Sequence, residues 1–323
     1  MKSRVRARAN IAVIKYWGKA EADLNIPAVG SISMTLDRLW SDTEVEFDSS
    51  LVADTFSLGG ESRPDQLARV SGSLGLLRRL AGVEMFARVA SENNFPTGAG
   101  LASSASGFAA LCTAGAQALS LNLSPRELSM LARQGSGSAA RSIFGGYVEM
   151  HAGNALDGSD SFAEPLLEAD MWPLECVIAI TQCGEKEVSS RAGMEQSAST
   201  SVYYPAWVAS SENDLRVGRA AVLAQDFDSL AEIAEHSCLK MHAAVMANQP
   251  PLIYWNPTTL ACIHVVRTLR TNGFPVFFTI DAGPQVKVFC KARARADVVA
   301  ALEQVPGVEY VIVSGLGSGV EIL

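Results

Sequence analysis

The chain has 323 residues, 48% hydrophobic and 19% charged, which is the balance of a folded globular protein with enough chain for two domains. A formal net charge of -8 argues against nucleic acid as a partner, because phosphate-backbone binding needs a basic face. No apolar stretch approaches the roughly 18 residues that cross a bilayer, and residues 1–6 carry no apolar signal core, so no membrane partner is expected and the expected location is cytoplasmic.

Residues 6–16, 31–36 and 43–47 alternate apolar and polar side chains and read as strands. Over 64–80, Leu67, Val70, Leu74, Leu77 and Leu80 fall at three- and four-residue steps behind Pro64 and Asp65, which predicts a helix. A strand at 85–90 leads into a Gly/Ser segment at 96–104 and then a small-residue helix over 103–119. Ser124, ahead of Pro125, Arg126 and Glu127, caps the next helix. A second Gly/Ser segment, 135–138, runs through Ala139, Ala140 and Arg141 to Gly145 and Gly146, and 147–151 returns as a strand. Between 153 and 173 the periodicity lapses while Gly, Asp, Ser and Pro accumulate, dividing the chain into 1–170 and 171–323. The second half reads as a strand (176–181), helices (204–224, 227–246, 258–272), strands (276–281, 286–290), a helix (296–304) and a closing strand (308–313). That order predicts an α+β fold with helices packed on a sheet. The six cysteines, Cys112, Cys176, Cys183, Cys238, Cys262 and Cys290, form no Cys-x-x-Cys pair and read as reduced structural thiols.

Three segments carry chemistry. In Pro96-Thr97-Gly98-Ala99-Gly100-Leu101-Ala102-Ser103-Ser104, Gly98 and Gly100 let the backbone approach an anion, and the following helix aims its N–H groups and positive dipole end at the same place. Ser103 and Ser104 add hydroxyls for a phosphate oxygen or Mg²⁺. No Gly-Lys-Ser/Thr follows, so this is not a Walker loop, and a turn before a capped helix has the same composition. Lys15-Tyr16-Trp17-Gly18-Lys19 ends the first strand with two cations and two aromatics, a mixture that is costly to bury without a partner. A solvated strand end with Trp17 in the core is the alternative. Ser136, Ser138 and Arg141 supply three donors within six residues, and the Arg141 fork suits a carboxylate. Another helix start would read the same way.

Together with Val188-Ser189-Ser190-Arg191-Ala192-Gly193-Met194 and Asp281-Ala282-Gly283-Pro284, these blocks, extended to 10–19, 94–105 and 135–142, resemble the signature blocks of the diphosphomevalonate decarboxylase family of the GHMP kinase superfamily. They follow the family's order from residue 10 to residue 284. The resemblance implies a two-domain GHMP kinase fold, with a ribosomal-protein-S5-like N-terminal domain, a ferredoxin-like α/β sandwich at the C-terminus and the active site in the cleft between them. It implies MgATP, mevalonate 5-diphosphate as substrate, and a homodimer. The reaction it implies phosphorylates the 3-hydroxyl, then expels that phosphate with CO₂ to give isopentenyl diphosphate.

Residue by residue, the resemblance implies that Tyr16, Trp17, Gly18 and Lys19, helped by Arg69, hold the substrate diphosphate. Ser136, Gly137, Ser138, Ala139, Ala140 and Arg141 surround the carboxylate. Pro96, Gly98, Gly100, Leu101, Ala102, Ser103, Ser104 and Lys186 belong to the ATP phosphates, with Ser104 as a contact for Mg²⁺. Asp281 becomes the catalytic aspartate at the 3-hydroxyl, with Ser190 and Arg191 near the transferred phosphate. Two positions depart from the pattern: Glu185-Lys186-Glu187 stands where two lysines are usual, and Pro27-Ala28-Val29-Gly30-Ser31 lacks an Asn. Those departures keep open mevalonate 5-phosphate as substrate. Two further alternatives are a 3-kinase that does not decarboxylate and a catalytically silent metabolite sensor.

Overall fold

The computed structural model describes residues 1–96, 100–184 and 187–323. β1 (Lys2–Ile14) leads through the small hairpin β2 (Lys19–Glu21) and β3 (Ile26–Pro27) into β4 (Ser31–Asp48). β5 (Thr55–Leu58), β6 (Glu61–Ser62), α1 (Pro64–Ala81), β7 (Phe86–Asn93), α2 (Ser103–Ala118), α3 (Pro125–Gly135) and a 3-10 turn (Gly137–Ile143) follow, then β8 (Tyr147–Met150) and β9 (Ala163–Leu167). The remainder is β10 (Glu175–Ile180), α4 (Ser190–Thr200), α5 (Tyr204–Ala224), α6 (Phe227–Met246), α7 (Pro257–Thr271), β11 (Val276–Thr279), β12 (Val286–Cys290), α8 (Arg295–Glu303), β13 (Tyr310–Ser314) and β14 (Glu321–Ile322).

The strands expected at 31–36 and 43–47 are one long strand. Its register against β1 slips between Arg8 and Asn10, and such an irregularity bends a strand. β4 therefore pairs with β8 through its first residues and with β7 through its last. This places the end of β1, the 3-10 turn and α2 around one spot. Ser124 and Glu127 form the expected reciprocal cap of α3, Ser124 N donating to the Glu127 carboxylate at 2.8 Å.

The second sheet is wholly antiparallel in the order β11-β12-β10-β13, the ferredoxin-like arrangement with a helix before β11 and before β13. β10, β11 and β12 are buried on both faces, while the edge strand β13 is partly exposed. Cys176, Ile178 and Ile180 of β10 face the core shared with β1, β4, α5 and α6, while Val177 and Ala179 face α7 and α8. The first of these cores takes Ile11, Met34, Leu230 and Phe277 alike, so the two halves share one hydrophobic interior. The chain end crosses back: Ile322 of β14 pairs with Val5, and Asp37 Oδ1 accepts from Gly315 N at 2.9 Å. Residues 315–323, grouped by the sequence with the second half, complete the first sheet. All six cysteines are free thiols, with Cys183 alone exposed, and among the described residues no helix is long and apolar enough to cross a membrane.

Candidate active site

A cavity of about 450 Å³ opens where the end of β1, the 3-10 turn, the first residues of α2 and α4, and the β11–β12 turn converge. At its head stands Asp281, its side chain 25% exposed, with Lys15 Nζ at 2.6 Å from Oδ1 and Lys287 Nζ at 3.4 Å from Oδ2. Burial pushes the carboxyl upward, but the two ammonium groups outweigh it and hold Asp281 well below the usual carboxylate range. Lys15 is itself oriented by the Ala12 carbonyl at 2.9 Å. Beneath the turn, His242 Nε2 lies 3.1 Å from the Ile280 carbonyl, and burial pushes this imidazole down to about 3, so it is neutral.

Arg141 lines the cavity wall and is almost wholly buried. Asn10 Oδ1 accepts from its Nε at 3.2 Å and Ser31 Oγ from its Nη1 at 2.6 Å. Asn10 in turn donates to the Ser138 carbonyl and Ser142 Oγ, which fixes the 3-10 turn against β1. Burial lowers the guanidinium to about 10, leaving it charged at neutral pH. Next to it the Tyr16 phenol is pushed up to about 12 by burial, against the pull of Arg141 and Arg191, and stays a neutral donor. Gly137 leaves room for the Tyr16 hydroxyl, which a Cβ there would displace. Lys19 and Arg69 are both lowered by burial first and by Arg191 next. Among the described residues Lys19, Arg69, Arg141 and Arg191 have no carboxylate within ion-pair distance. Four cations lining one cavity without an ion-paired carboxylate suit a polyanion.

The Gly/Ser segments meet across the cavity: Ser136 Oγ lies 3.4 Å from Ser104 Oγ and 3.3 Å from Ser138 Oγ. α2 begins at Ala102 in the left-handed conformation, φ 60°, with no side-chain cap. Of its first N–H groups, that of Ala105 donates to the Ala102 carbonyl at 2.9 Å, and the end of the helix dipole at Ser103 and Ser104 faces the cavity. α4 is capped by Ser189 Oγ, which accepts from Ala192 N at 3.2 Å, and this sets Ser190 and Arg191 at the cavity edge.

Of the residues singled out in the sequence, Tyr16, Trp17, Lys19, Arg69, Gly100 and Ala102 border this space, as do Ser103, Ser104, Ser136, Gly137, Ser138, Arg141, Ser190, Arg191 and Asp281. The Trp17 ring is core, its Nε1 donating to Ser197 Oγ at 2.9 Å. Leu101, Ala139 and Ala140 are buried behind the cavity wall, Gly18 packs under Tyr204 with φ 99°, and Pro96 is exposed outside the lining. Gly98 and Lys186 lie outside the described residues.

The sequence profile of the diphosphomevalonate decarboxylase-like N-terminal domain matches residues 7–163, and that of the mevalonate 5-diphosphate decarboxylase C-terminal domain matches residues 176–317. The chain belongs to the diphosphomevalonate decarboxylase family. It is 37% identical over 317 residues to a diphosphomevalonate decarboxylase of Gibberella zeae, covering 92% of this chain and 83% of that one. The Saccharomyces cerevisiae diphosphomevalonate decarboxylase is 36% identical over 316 residues, covering 92% and 79%. The crystal structure of mevalonate diphosphate decarboxylase from Staphylococcus aureus superposes with a TM-score of 0.94 at 37% identity, covering 100% and 98%. A solved structure described as "MDDEF in complex with MVAPP, AMPPCP and Magnesium" gives 0.93 at 40%, covering 100% and 99%.

The fold also brings in several residues to which the decarboxylase blocks assign no role. Asn10 and Lys15 lay inside a quoted block, and their buried polar ends mark them only once β1 is seen to end at the cavity. Asn25 reaches the lining from the β2–β3 hairpin, its Nδ2 donating to the Gln134 carbonyl at 2.5 Å. Lys287 had one sequence signal, a lone cation inside the strand Val286-Lys287-Val288-Phe289-Cys290.

Proposed function

We propose that the chain catalyses the ATP-dependent decarboxylation of mevalonate 5-diphosphate to isopentenyl diphosphate, ADP, phosphate and CO₂. The observation that carries this reading is an ionised Asp281, held by Lys15, at the head of a cavity walled by cations without carboxylate partners and entered by the uncapped start of α2.

Asp281 orients the tertiary 3-hydroxyl and takes its proton as the hydroxyl oxygen bonds the γ-phosphorus and the bond to ADP breaks. A crowded tertiary alcohol is a weak nucleophile and gains from a positioned base, although most phosphoryl-transfer catalysis is alignment and charge neutralisation. In the second half-reaction the bond from C2 to the carboxyl carbon breaks, its electron pair forms the new double bond to C3, and the 3-phosphate leaves as CO₂ departs. Arg141 holds the carboxylate through its remaining donors. Strong stabilisation of that ground-state anion would slow CO₂ loss, and burial of Arg141 without an acidic partner aligns the group while the 3-phosphate leaves. Lys19, Arg69 and Arg191 with the Tyr16 hydroxyl take the diphosphate, and Ser190 stands near the transferred phosphate.

The first turn of α2, with Ser103 and Ser104, receives the ATP phosphates. Among the described residues no group of three His, Cys, Asp or Glu gathers to cage a metal. This donor set fits Mg²⁺ carried mainly by phosphate oxygens with a hydroxyl such as that of Ser104. Magnesium supplies charge neutralisation on the transferring phosphoryl group. A second cavity of about 310 Å³, lined by Phe56, Leu58, Val89, Phe108 and Leu111, touches Ser103 and Ser104 and suits the nucleoside. The reading extends to a cytoplasmic homodimer, checked by sedimentation of the purified protein.

The deciding experiment measures ADP and CO₂ together with mevalonate, its 5-phosphate and its 5-diphosphate. Equal release of both from the diphosphate is expected. ADP without CO₂ would turn the reading to a 3-kinase, equal release from the monophosphate alone would change the substrate, and neither product from any of them would leave a metabolite sensor.

A further inference from the structure

Lys287 is the one fully buried lysine of the second sheet that reaches both the phosphate loop and the aspartate. It sits mid-strand on β12, opposite Ile178 and Thr279, with a side chain 0% exposed. Its Nζ donates to the Gly100 carbonyl at 2.7 Å and lies 3.4 Å from Asp281 Oδ2. A fully buried ammonium group is costly unless its bonds are met, and both partners belong to the reaction machinery. A second contact joins the same two segments. Gly100, at φ 78°, packs its backbone on the β11–β12 turn so closely that a Cβ would stand 3.2 Å from Gly283 Cα. The inner end of the ATP loop is thereby seated on the turn that carries Asp281.

We propose that Lys287 is a positioning residue for this reaction, which ties the ATP-phosphate loop to the Asp281 carboxylate so that the nucleotide and the base are set in one register. The inference rests on the assignments made under Proposed function, Asp281 as the base and the start of α2, which Gly100 shortly precedes, as the place of the ATP phosphates. Lys15 approaches Asp281 from the end of β1 and bonds Oδ1, which leaves Oδ2 to Lys287. The other charged or titratable groups around the pair are Arg141 from the 3-10 turn, His242 and Cys238 from α6, and Cys176 from β10. None of these donates to the carboxylate. Removing Lys287 therefore takes away one of two cations that keep Asp281 ionised, and releases Gly100 at the same time. Lys15 cannot make up the second loss, because it does not reach the loop carbonyl.

The test is K287M in the full chain, assayed for ADP and CO₂ with mevalonate 5-diphosphate and MgATP. We expect kcat to fall at least about tenfold and the KM for ATP to rise, while the KM for the diphosphate stays within about twofold. The acid limb of kcat should move to higher pH, since Asp281 loses a neighbouring cation. A purely structural lysine would lower the melting temperature and leave the acid limb and the ATP KM of the folded fraction unchanged, and that result overturns the proposal. Should K287M fail to fold, K287Q, which keeps a donor but no charge, is judged by the same acid limb. An inactive wild type would overturn the reading of Asp281 together with this inference, whereas an active wild type matched by both variants overturns the inference alone.

Discussion

At the residue scale, the proposed base is Asp281, which the ammonium groups of Lys15 and Lys287 keep ionised. D281N should lower ADP release by about 10²–10⁴-fold, the range for a positioned general base, while calorimetry detects diphosphate binding close to that of the wild type. The same carboxyl links stability to pH. Its folded pKa is depressed, so its contribution is fully present above the unfolded value near 3.9 and is lost as pH falls toward the folded one. D281N should therefore melt below the wild type at neutral pH, and the gap should close as the buffer is taken below about pH 4. Arg141 offers a second test. R141K keeps the charge but not the fork that Asn10 and Ser31 hold. CO₂ release should fall about ten- to a hundredfold, corresponding to the loss of a charge-assisted hydrogen bond of roughly 1.5–3 kcal/mol.

At the scale of elements, the site is a meeting of ends: the close of β1, the starts of α2 and α4, and the turn after β11. α2 begins without a side-chain cap where α3, α4 and α7 each have one, and the proposal gives the start of this helix to the phosphates. Gly100→Ala should raise the ATP KM and leave the KM for the diphosphate unchanged. Its added Cβ is strained at φ 78° and presses on Gly283, and initial rates at varied ATP measure the effect. Much at this scale was legible. Period-three and period-four spacing gave α1, a Ser-to-Glu spacing gave the α3 cap, and Gly/Ser composition picked out both segments that line the cavity. The unbroken β4 was not legible, because Leu36 to Trp40 interrupt the alternation where the strand bends, and a register slip leaves no periodic signal.

At the scale of the whole molecule, the halves are joined by a shared core in which Ile11 and Met34 of the first sheet meet Leu230 of α6 and Phe277 of the second. Leu230→Ala, at a fully buried position, should destabilise the protein by about 2–5 kcal/mol. Calorimetry should show the two halves still unfolding in one transition. Two separated transitions would mean that the common core does not couple them.

The sequence by itself determined most of the long helices and strands, the Gly/Ser segments, the family pattern and the candidate roles of Tyr16, Lys19, Arg141 and Asp281. Those features are local: helical periodicity, a cap, or a run of residues whose chemistry is written into the run. Tertiary structure alone decided which distant groups face one another. Asn10 grips Arg141 across the 3-10 turn, Lys15 grips Asp281 from the far end of the chain, and Lys287 reaches Gly100 from inside a buried strand. A lone lysine among valines carries no sign in the sequence of which loop it will meet. That partner is fixed only when two sheets pack and exclude water from the space between them.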